Sequence, residues 1–199
     1  MQKTRIDKTK FILNLLEIIP NASNIDDAIT ENMINMKIKR SYFNDIKGSF
    51  FPDGLKSLMI EINEIIDMKL RKGKKPKNFA NFRINEKIKY FVIQRIQIFS
   101  KLVHRKFFFK EMLKPNLFLN SYKILFKIAD EIWFLSGDKS TDFNYYTKRL
   151  ILMNVYAATF SYFFFDKSEN FNKTKSFLDK QIKLVLAFGK LKQKIKKPN

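Results

Sequence analysis

Residues able to carry acid–base, nucleophilic or metal chemistry are sparse in this 199-residue chain. His104 is its only histidine and it has no cysteine, so a thiolate nucleophile, an internal disulfide and a cysteine-ligated metal are excluded. It contains neither the Glu-x-x-His pairs of a di-iron helical bundle nor a glycine-rich phosphate loop. We therefore predict no catalytic residue, no metal site and no cofactor.

Carboxylates do cluster in one stretch, at Asp130, Glu131, Asp138 and Asp142. Each lies near a predicted helix terminus, where a carboxylate caps a helix or pairs with a nearby cation such as Arg149. We interpret the cluster as structural, and we expect that the protein is not an enzyme.

Two long helices are predicted to position this cluster. Apolar residues recur at steps of three and four up to Trp133, and Gly137 follows where a C-terminal helix cap favours glycine. The polar residues 140–142 can accept hydrogen bonds from the first N–H groups of a second helix. Because residues 150–165 of that helix are almost entirely apolar, we expect it to be buried on most sides, and it is too short to span a bilayer.

The rest of the chain also has helical spacing, with few glycines and prolines, and indicates an all-α fold. Three short helices, at 8–19, 25–33 and 37–43, outline a helix-turn-helix head. The predicted domains are a head with its connecting helix, a basic linker and a helical bundle with a lipid-binding cavity, at residues 1–70, 71–81 and 82–199.

The formal net charge of +20 favours anionic partners, either nucleic acid or an acidic membrane. On the predicted third helix, Lys37, Lys39 and Arg40 could contact DNA phosphates, and Tyr42 could pack against the backbone. Heads of this kind occur in TetR-type repressors. A fold does not carry its function with it, however, and DNA is not the partner we expect.

The C-terminal segment is basic and amphipathic. We predict membrane contact through Phe188, Leu191, Lys192 and Ile195, which could rest on anionic lipid. The alternative is an ordinary bundle helix that ends in a solvated lysine tail.

Bulky rings and a flexible thioether on the predicted bundle helices could shape an elongated apolar cavity. Simple core packing would use the same residue types, and the sequence leaves both interpretations open. The predicted lipid-binding residues are Phe99, Phe126, Trp133, Met153, Tyr156 and Phe160.

The sequence around the carboxylate cluster resembles the coenzyme Q (ubiquinone) biosynthesis accessory proteins, the ninth member of the Coq series. The Phe51-Pro52-Asp53-Gly54 phrase before an apolar helix is similar to the N-terminal half of the same family. The C-terminal resemblance is carried, in order, by Trp133, Ser136-Gly137-Asp138, STDFNYYT at 140–147, Lys148-Arg149, Tyr156, Asp166 and Phe177-Leu178-Asp179.

This resemblance implies a TetR-like helical bundle whose cavity holds the isoprenoid tail of a ubiquinone precursor. It also implies a surface patch that contacts the di-iron demethoxyubiquinone hydroxylase, formed here by Asp142, Tyr145, Tyr146 and Arg149. Tyr145 stands where the family has tryptophan, which reduces the contact area of that anchor.

We therefore expect a non-catalytic lipid-binding protein that presents polyprenylated quinone precursors to the hydroxylase at a membrane. The alternative is a TetR-like DNA-binding regulator that senses an apolar ligand. No signal or transit peptide is apparent, so we expect a bacterial cytoplasmic protein at the periphery of the inner membrane, and homodimer formation stays open.

Overall fold

The computed structural model describes residues 6–115, 121–141 and 143–195, and for residues 143 and 190–195 it describes the backbone alone. Within these residues the chain is helical and has no β-strand, which confirms the predicted all-α class. The helices are α1 (Lys8–Ile18), α2 (Ile25–Asn35), α3 (Phe43–Phe50), α4 (Leu55–Lys72), α5 (Ile84–Leu102), α6 (Arg105–Met112), α7 (Ser121–Leu135), α8 (Phe143–Phe165) and α9 (Asn172–Ile195). Short 3-10 turns lie at Arg40–Tyr42, Phe79–Asn81 and Glu169–Phe171.

The chain divides into two compact units that do not coincide with the predicted domains. The first comprises residues 1–69 and 98–119, and the second comprises residues 70–97 and 120–199. Residues 98–115 join the first unit through side chains such as Val103 and Phe108, which line one cavity together with Leu16 and Leu58.

The first unit is built on an apolar core contributed by α1, α2 and the start of α4. Phe11 is fully buried, and its ring lies 5.8 Å from that of Phe50 and 6.3 Å from that of Phe51. The buried Asn32 side chain donates a 2.8 Å hydrogen bond to the carbonyl of Phe11 and so joins α2 to α1.

The predicted N-terminus of α2 is confirmed, but the predicted third helix is wrong. Asn24 caps α2 by accepting from the N–H groups of Asp26 and Asp27, each at 2.9 Å. Lys37 then takes a positive φ of 55°, and the Ile38 N–H bonds to the Met33 carbonyl at 2.8 Å, a Schellman closure that ends α2. The third helix therefore begins at residue 43 rather than 37, because residues 37–39 form this closure and the extended link after it.

The second unit packs α8 between α7 and α9. A row of rings runs along α8, with Tyr156 stacked on Phe160 at 5.6 Å and Phe160 stacked on Phe163 at 5.9 Å. The helix is less covered than its composition predicts, since Leu150 and Phe165 expose 48% and 69% of their surface. Among the described residues, no helix is both long enough and apolar enough to cross a membrane.

Candidate functional site

The turn between α7 and α8 is fixed by a complete C-terminal cap. Gly137 has a φ of +90°, and its N–H bonds to the Phe134 carbonyl at 3.0 Å. The Asp138 N–H bonds to the Trp133 carbonyl at 3.0 Å, which completes a Schellman motif. The prediction that α7 stops at Gly137 is confirmed, and the cap points Asp138 back toward α8.

Arg149 of α8 joins both carboxylates that flank this turn. Its side chain is 4% exposed, and its Nε donates to Asp130 at 2.6 Å while its Nη1 donates to Asp138 at 3.1 Å. The same Nη1 reaches the Tyr145 carbonyl at 3.2 Å, one helical turn earlier. The planar guanidinium suits this task because its donors are arranged in a rigid fork. We call Asp130, Asp138, Tyr145 and Arg149 the arginine clamp.

The predicted pairing of clustered carboxylates with Arg149 is found for the two members in the clamp, Asp130 and Asp138. Glu131 instead pairs with Arg71 through two hydrogen bonds of 2.6 Å. Asp142 lies outside the described residues.

Lys148 supplies a second cation to the turn. Its Nζ donates to Asp138 at 2.7 Å and lies 3.3 Å from the Ser140 hydroxyl. It also lies 5.3 Å from the centre of the Trp133 ring, whose indole N–H donates to the Lys148 carbonyl at 3.0 Å. Trp133 is therefore tied to the polar end of α8.

These contacts determine the ionisation of the cluster. Burial alone would raise the pKa of Asp138, but hydrogen bonds from Lys148, Ser140 and Arg149 outweigh it and lower the pKa to about 2. Burial opposes the charged form of Arg149, yet the two aspartates raise its pKa above the ordinary value. The hydrogen bond to Asp130 raises the pKa of the Tyr145 hydroxyl. At neutral pH the carboxylate of Asp138 and the guanidinium of Arg149 are both charged.

The two tyrosines of the predicted hydroxylase patch lie in different surroundings. The Tyr145 hydroxyl donates to Asp130 at 2.9 Å, and its ring centre lies 3.4 Å from the Arg149 guanidinium carbon. Tyr146 meets the edge of the Tyr145 ring at 5.1 Å and exposes 61% of its surface. The structure thus brings Tyr145, Tyr146 and Arg149 together, with Tyr146 outermost. Their role in partner binding stays a prediction.

The predicted lipid-binding residues are divided between the two units. Phe99 belongs to the first unit, and the other five belong to the second. Tyr156 and Phe160 are buried in the ring row of α8, whereas Phe126, Trp133 and Met153 are half-buried. A lipid-binding role for these residues stays a prediction.

Sequence reasoning did not find an apolar cavity in the first unit. It has a volume of about 20 Å³, about the size needed for one water molecule. The polar side chains of His104 and Glu111 lie among the apolar groups that line it, including Leu16, Leu58 and Phe108. His104 also caps α6 by accepting from the Phe107 N–H at 3.4 Å, and Glu111 pairs with Lys114 at 2.7 Å. The apolar spacing of α1 and α4 predicted the lining, but a void between helices leaves no mark on a sequence.

Of the four predicted membrane-contact residues, Phe188 is described with its side chain and exposes 68% of its surface. Leu184, one turn earlier on α9, is similarly exposed. The other three, Leu191, Lys192 and Ile195, lie within α9, where the structure describes only the backbone. Membrane contact here stays a prediction.

Sequence comparison links the region of this site to one protein family. Residues 118–189 match the family described as COQ9. The chain is 34% identical over 85 residues to "Ubiquinone biosynthesis protein COQ9, mitochondrial" of Rattus norvegicus, a match covering 43% of this chain and 27% of that protein. The Homo sapiens protein of the same description is 31% identical over 85 residues, with the same two coverages. The matches therefore span about a quarter of the length of these relatives.

Structural comparison extends over most of the chain. A TetR transcriptional regulator from Nitrosomonas europaea superposes with a TM-score of 0.65 at 13% sequence identity, covering 88% of this chain and 96% of that one. At this identity the likeness concerns the fold alone. Residues 118–189 of this chain are therefore similar to the COQ9 family, and the chain has a TetR-like helical fold.

Proposed function

We propose that this protein is a non-catalytic accessory protein of ubiquinone biosynthesis, which binds a polyprenylated quinone precursor and presents it to a di-iron demethoxyubiquinone hydroxylase. The observation that carries the proposal is the arginine clamp, which lies in the region that matches COQ9 and holds the α7–α8 turn with Tyr146 facing outward. A rigid polar turn beside an exposed aromatic ring is suited to capturing a partner protein.

Two exposed side chains near the clamp share one face of α8. Tyr146 and Leu150 lie four residues apart and expose 61% and 48% of their surface. We call these two residues the docking strip. Because Tyr145 is held by Asp130 and Arg149, we assign it the role of orienting Tyr146 rather than that of the main anchor.

The docking proposal is tested by capture of the hydroxylase on immobilised protein. Tyr146→Lys is expected to weaken binding about 30-fold, because it replaces a central aromatic anchor by a charge. Tyr122→Lys is the matched control, since Tyr122 is 58% exposed on α7 and lies outside the strip. Its affinity should stay within twofold of the wild type. Equal losses in both variants, or none in Tyr146→Lys, would refute the assignment.

The lipid proposal is supported by the ring row of α8 and by two half-buried side chains, Phe126 of α7 and Met153 of α8. Burial of an isoprenoid tail contributes roughly 25 cal/mol per Å² of apolar surface and needs little polar chemistry. Mass spectrometry of an organic extract of the protein, purified from its native host, should detect an isoprenoid quinone or its precursor. Met153→Trp should reduce the recovered lipid several-fold by filling space, and Phe134→Trp, at a 66% exposed position, should not. Extracts without any isoprenoid species would contradict the proposal.

The proposed place of action is the periphery of a membrane. We predict the bacterial inner membrane, although the relatives named above are mitochondrial proteins. Fractionation of the native host at low salt, followed by immunodetection, tests this choice. Recovery of the protein in the cytosolic fraction alone would contradict it.

DNA binding is a second candidate, favoured by the similarity of the fold to a TetR regulator. The sequence prediction relied on Lys37, Lys39 and Arg40, which precede α3. The helix itself carries Asp45 and Lys47, and Lys47 pairs with Asp26 at 2.5 Å. A gel-shift series across salt distinguishes the candidates, because a specific DNA complex survives competitor DNA at physiological salt and a purely electrostatic one does not.

A further inference from the structure

The segment that links α4 to α5, together with the residues that flank it, is strongly basic. Between residues 71 and 91 the chain has eight basic residues and a single acidic one, Glu86. Glu86 accepts from the Arg83 N–H at 2.7 Å at the start of α5. Arg71 pairs with Glu131, and Lys89 pairs with Asp179 at 2.5 Å. The lysines that remain are Lys72, Lys74, Lys75, Lys77 and Lys87, which we call the lysine surface.

Aromatic packing joins this segment to α5. Phe79 is nearly buried, and its ring lies 5.2 Å from that of Tyr90 and 5.4 Å from that of Phe91. The Tyr90 hydroxyl donates to the Lys74 carbonyl at 3.1 Å. Lys75 and Lys87 place their ammonium groups 5.2 and 5.6 Å from the centre of the Phe79 ring. The segment predicted as a linker is thus a packed element that presents lysines outward.

Apolar side chains lie beside these lysines. Ile84, at the first position of α5, exposes 42% of its surface, and Phe82 is half-buried two residues earlier. Lysines that surround an exposed aliphatic group fit an anionic bilayer, where the charges attract headgroups and the apolar side chain enters the interface.

We propose that the lysine surface, together with Ile84, is a docking site for the headgroups of anionic phospholipids. Nucleic acid fits the same observations less well. Single-stranded nucleic acid needs free ring faces on which to stack, whereas the Phe79 ring is covered by Lys75 and Lys87, and Phe91 is 1% exposed. Neither a duplex nor a single strand gives an exposed isoleucine an apolar layer to enter. This site is independent of the proposed hydroxylase contact and lies on a different segment from the predicted C-terminal membrane contact.

The test is co-sedimentation with extruded vesicles of phosphatidylcholine alone or with phosphatidylglycerol at a 7:3 ratio. The full chain should bind the anionic vesicles and lose binding as salt rises. The variant Lys72→Glu/Lys74→Glu/Lys77→Glu changes exposed side chains for which the structure describes no ion pair. It should bind at least about 100-fold more weakly, because each lysine near such a surface contributes about fivefold in affinity.

A control with the same charge change separates a local site from net charge. Lys10→Glu/Lys101→Glu/Lys106→Glu alters three exposed lysines of the first unit and should stay within threefold of the wild type. Ile84→Ser should weaken binding about threefold, while Ile34→Ser, at a 70% exposed position, should not. All variants retain α9, so any contribution from that helix cancels.

Two results would overturn the proposal. Equal losses in the two triple-lysine variants would mean that net charge alone drives binding. Unchanged vesicle binding by Lys72→Glu/Lys74→Glu/Lys77→Glu would remove the site, and a loss of its affinity for a 30-nucleotide RNA at the same time would assign the surface to nucleic acid. Circular dichroism should show the same helix content and unfolding midpoint in every variant compared.

Discussion

The two ends of α8 each hold a buried carboxylate, but they satisfy its charge in different ways. At the N-terminal end, Asp138 is bound by the cations of Lys148 and Arg149. At the C-terminal end, Asp166 accepts from neutral groups, namely the N–H and hydroxyl of Ser168 at 2.7 and 2.6 Å and those of Thr174 at 2.8 and 2.6 Å. Both carboxylates are shielded from solvent, since the side chain of Asp138 is 5% exposed and Asp166 as a whole residue is 4% exposed.

The two kinds of hydrogen-bond donor correspond to different structural roles at the two ends of α8. Asp166 and Ser168 satisfy the N–H groups of residues 174 and 173, so they close the first turn of α9. The same turn holds Asn170 and Phe171 at positive φ, which is costly for non-glycine residues and persists only where surrounding contacts fix it. The Asp138 end instead carries the half-exposed Lys148 and, two residues earlier, the exposed Tyr146. The Asp166 end of α8 caps the next helix, whereas the Asp138 end is a charged turn beside exposed side chains.

The largest loss of stability is expected from Arg149→Met, at the N-terminal end of α8. Removal of the guanidinium leaves Asp138 buried with one cation fewer, which should lower the free energy of unfolding by about 3–5 kcal/mol. Arg149→Lys should recover less than half of that loss, because one ammonium cannot reproduce the fork that bridges Asp130 and Asp138. Urea denaturation followed by circular dichroism measures both.

Arg83→Met serves as the control for Arg149→Met, because Arg83 is exposed and its described hydrogen bond uses its backbone N–H. It should change stability by less than about 0.5 kcal/mol. A comparable loss in Arg83→Met, or a small loss in Arg149→Met, would mean that the clamp does not stabilise the α7–α8 turn.

Acid should weaken the Asp138 end by a smaller amount. The pKa of Asp138 is about 2 in the folded chain and about 3.8 ordinarily, so its ionisation favours the folded state by about 2 kcal/mol above pH 5. Because the folded pKa is the lower one, this stabilisation is lost as the pH falls from about 4 through 2. Asp138→Asn lacks it at every pH, so the stability difference between wild type and variant should shrink over that window. Parallel stability curves from pH 6 to pH 2 would contradict this assignment.

Much of this architecture could be predicted from local sequence signals. Asn24 before α2 and Gly137 after α7 marked helix ends because their side chains, or the lack of one, suit caps. Lys37 was misjudged because a lysine at positive φ carries no such signal, and this error moved the third helix by six residues. The packing of residues 98–115 with the first unit depends on contacts between distant segments, which spacing along the chain does not encode.

The candidate site was predictable in part for the same reason. Arg149 could be assigned to the carboxylates because it follows a turn rich in acids. The separation of roles between Tyr145 and Tyr146 could not, since it depends on Asp130 reaching the Tyr145 hydroxyl from 15 residues earlier in the chain. The lysine surface looked like a linker in sequence, because the contact of Tyr90 with the Lys74 carbonyl joins residues 16 apart.

The last prediction concerns Asp166→Asn at the C-terminal end of α8. The amide retains one acceptor for Ser168, but it turns an NH₂ group toward the N–H of Thr174, where the carboxylate accepted at 2.8 Å. We expect a loss of about 1–2 kcal/mol in the free energy of unfolding. Hydrogen exchange should locate this loss in the first turn of α9, with protection around the α7–α8 turn unchanged. If the α7–α8 turn opened as well, the two ends would be one coupled network, and hydroxylase capture through Tyr146 would fall with Asp166. Because Ser168 and Thr174, which donate hydrogen bonds to Asp166, lie at the opposite end of α8 from the arginine clamp, we expect hydroxylase capture to stay within twofold of the wild type.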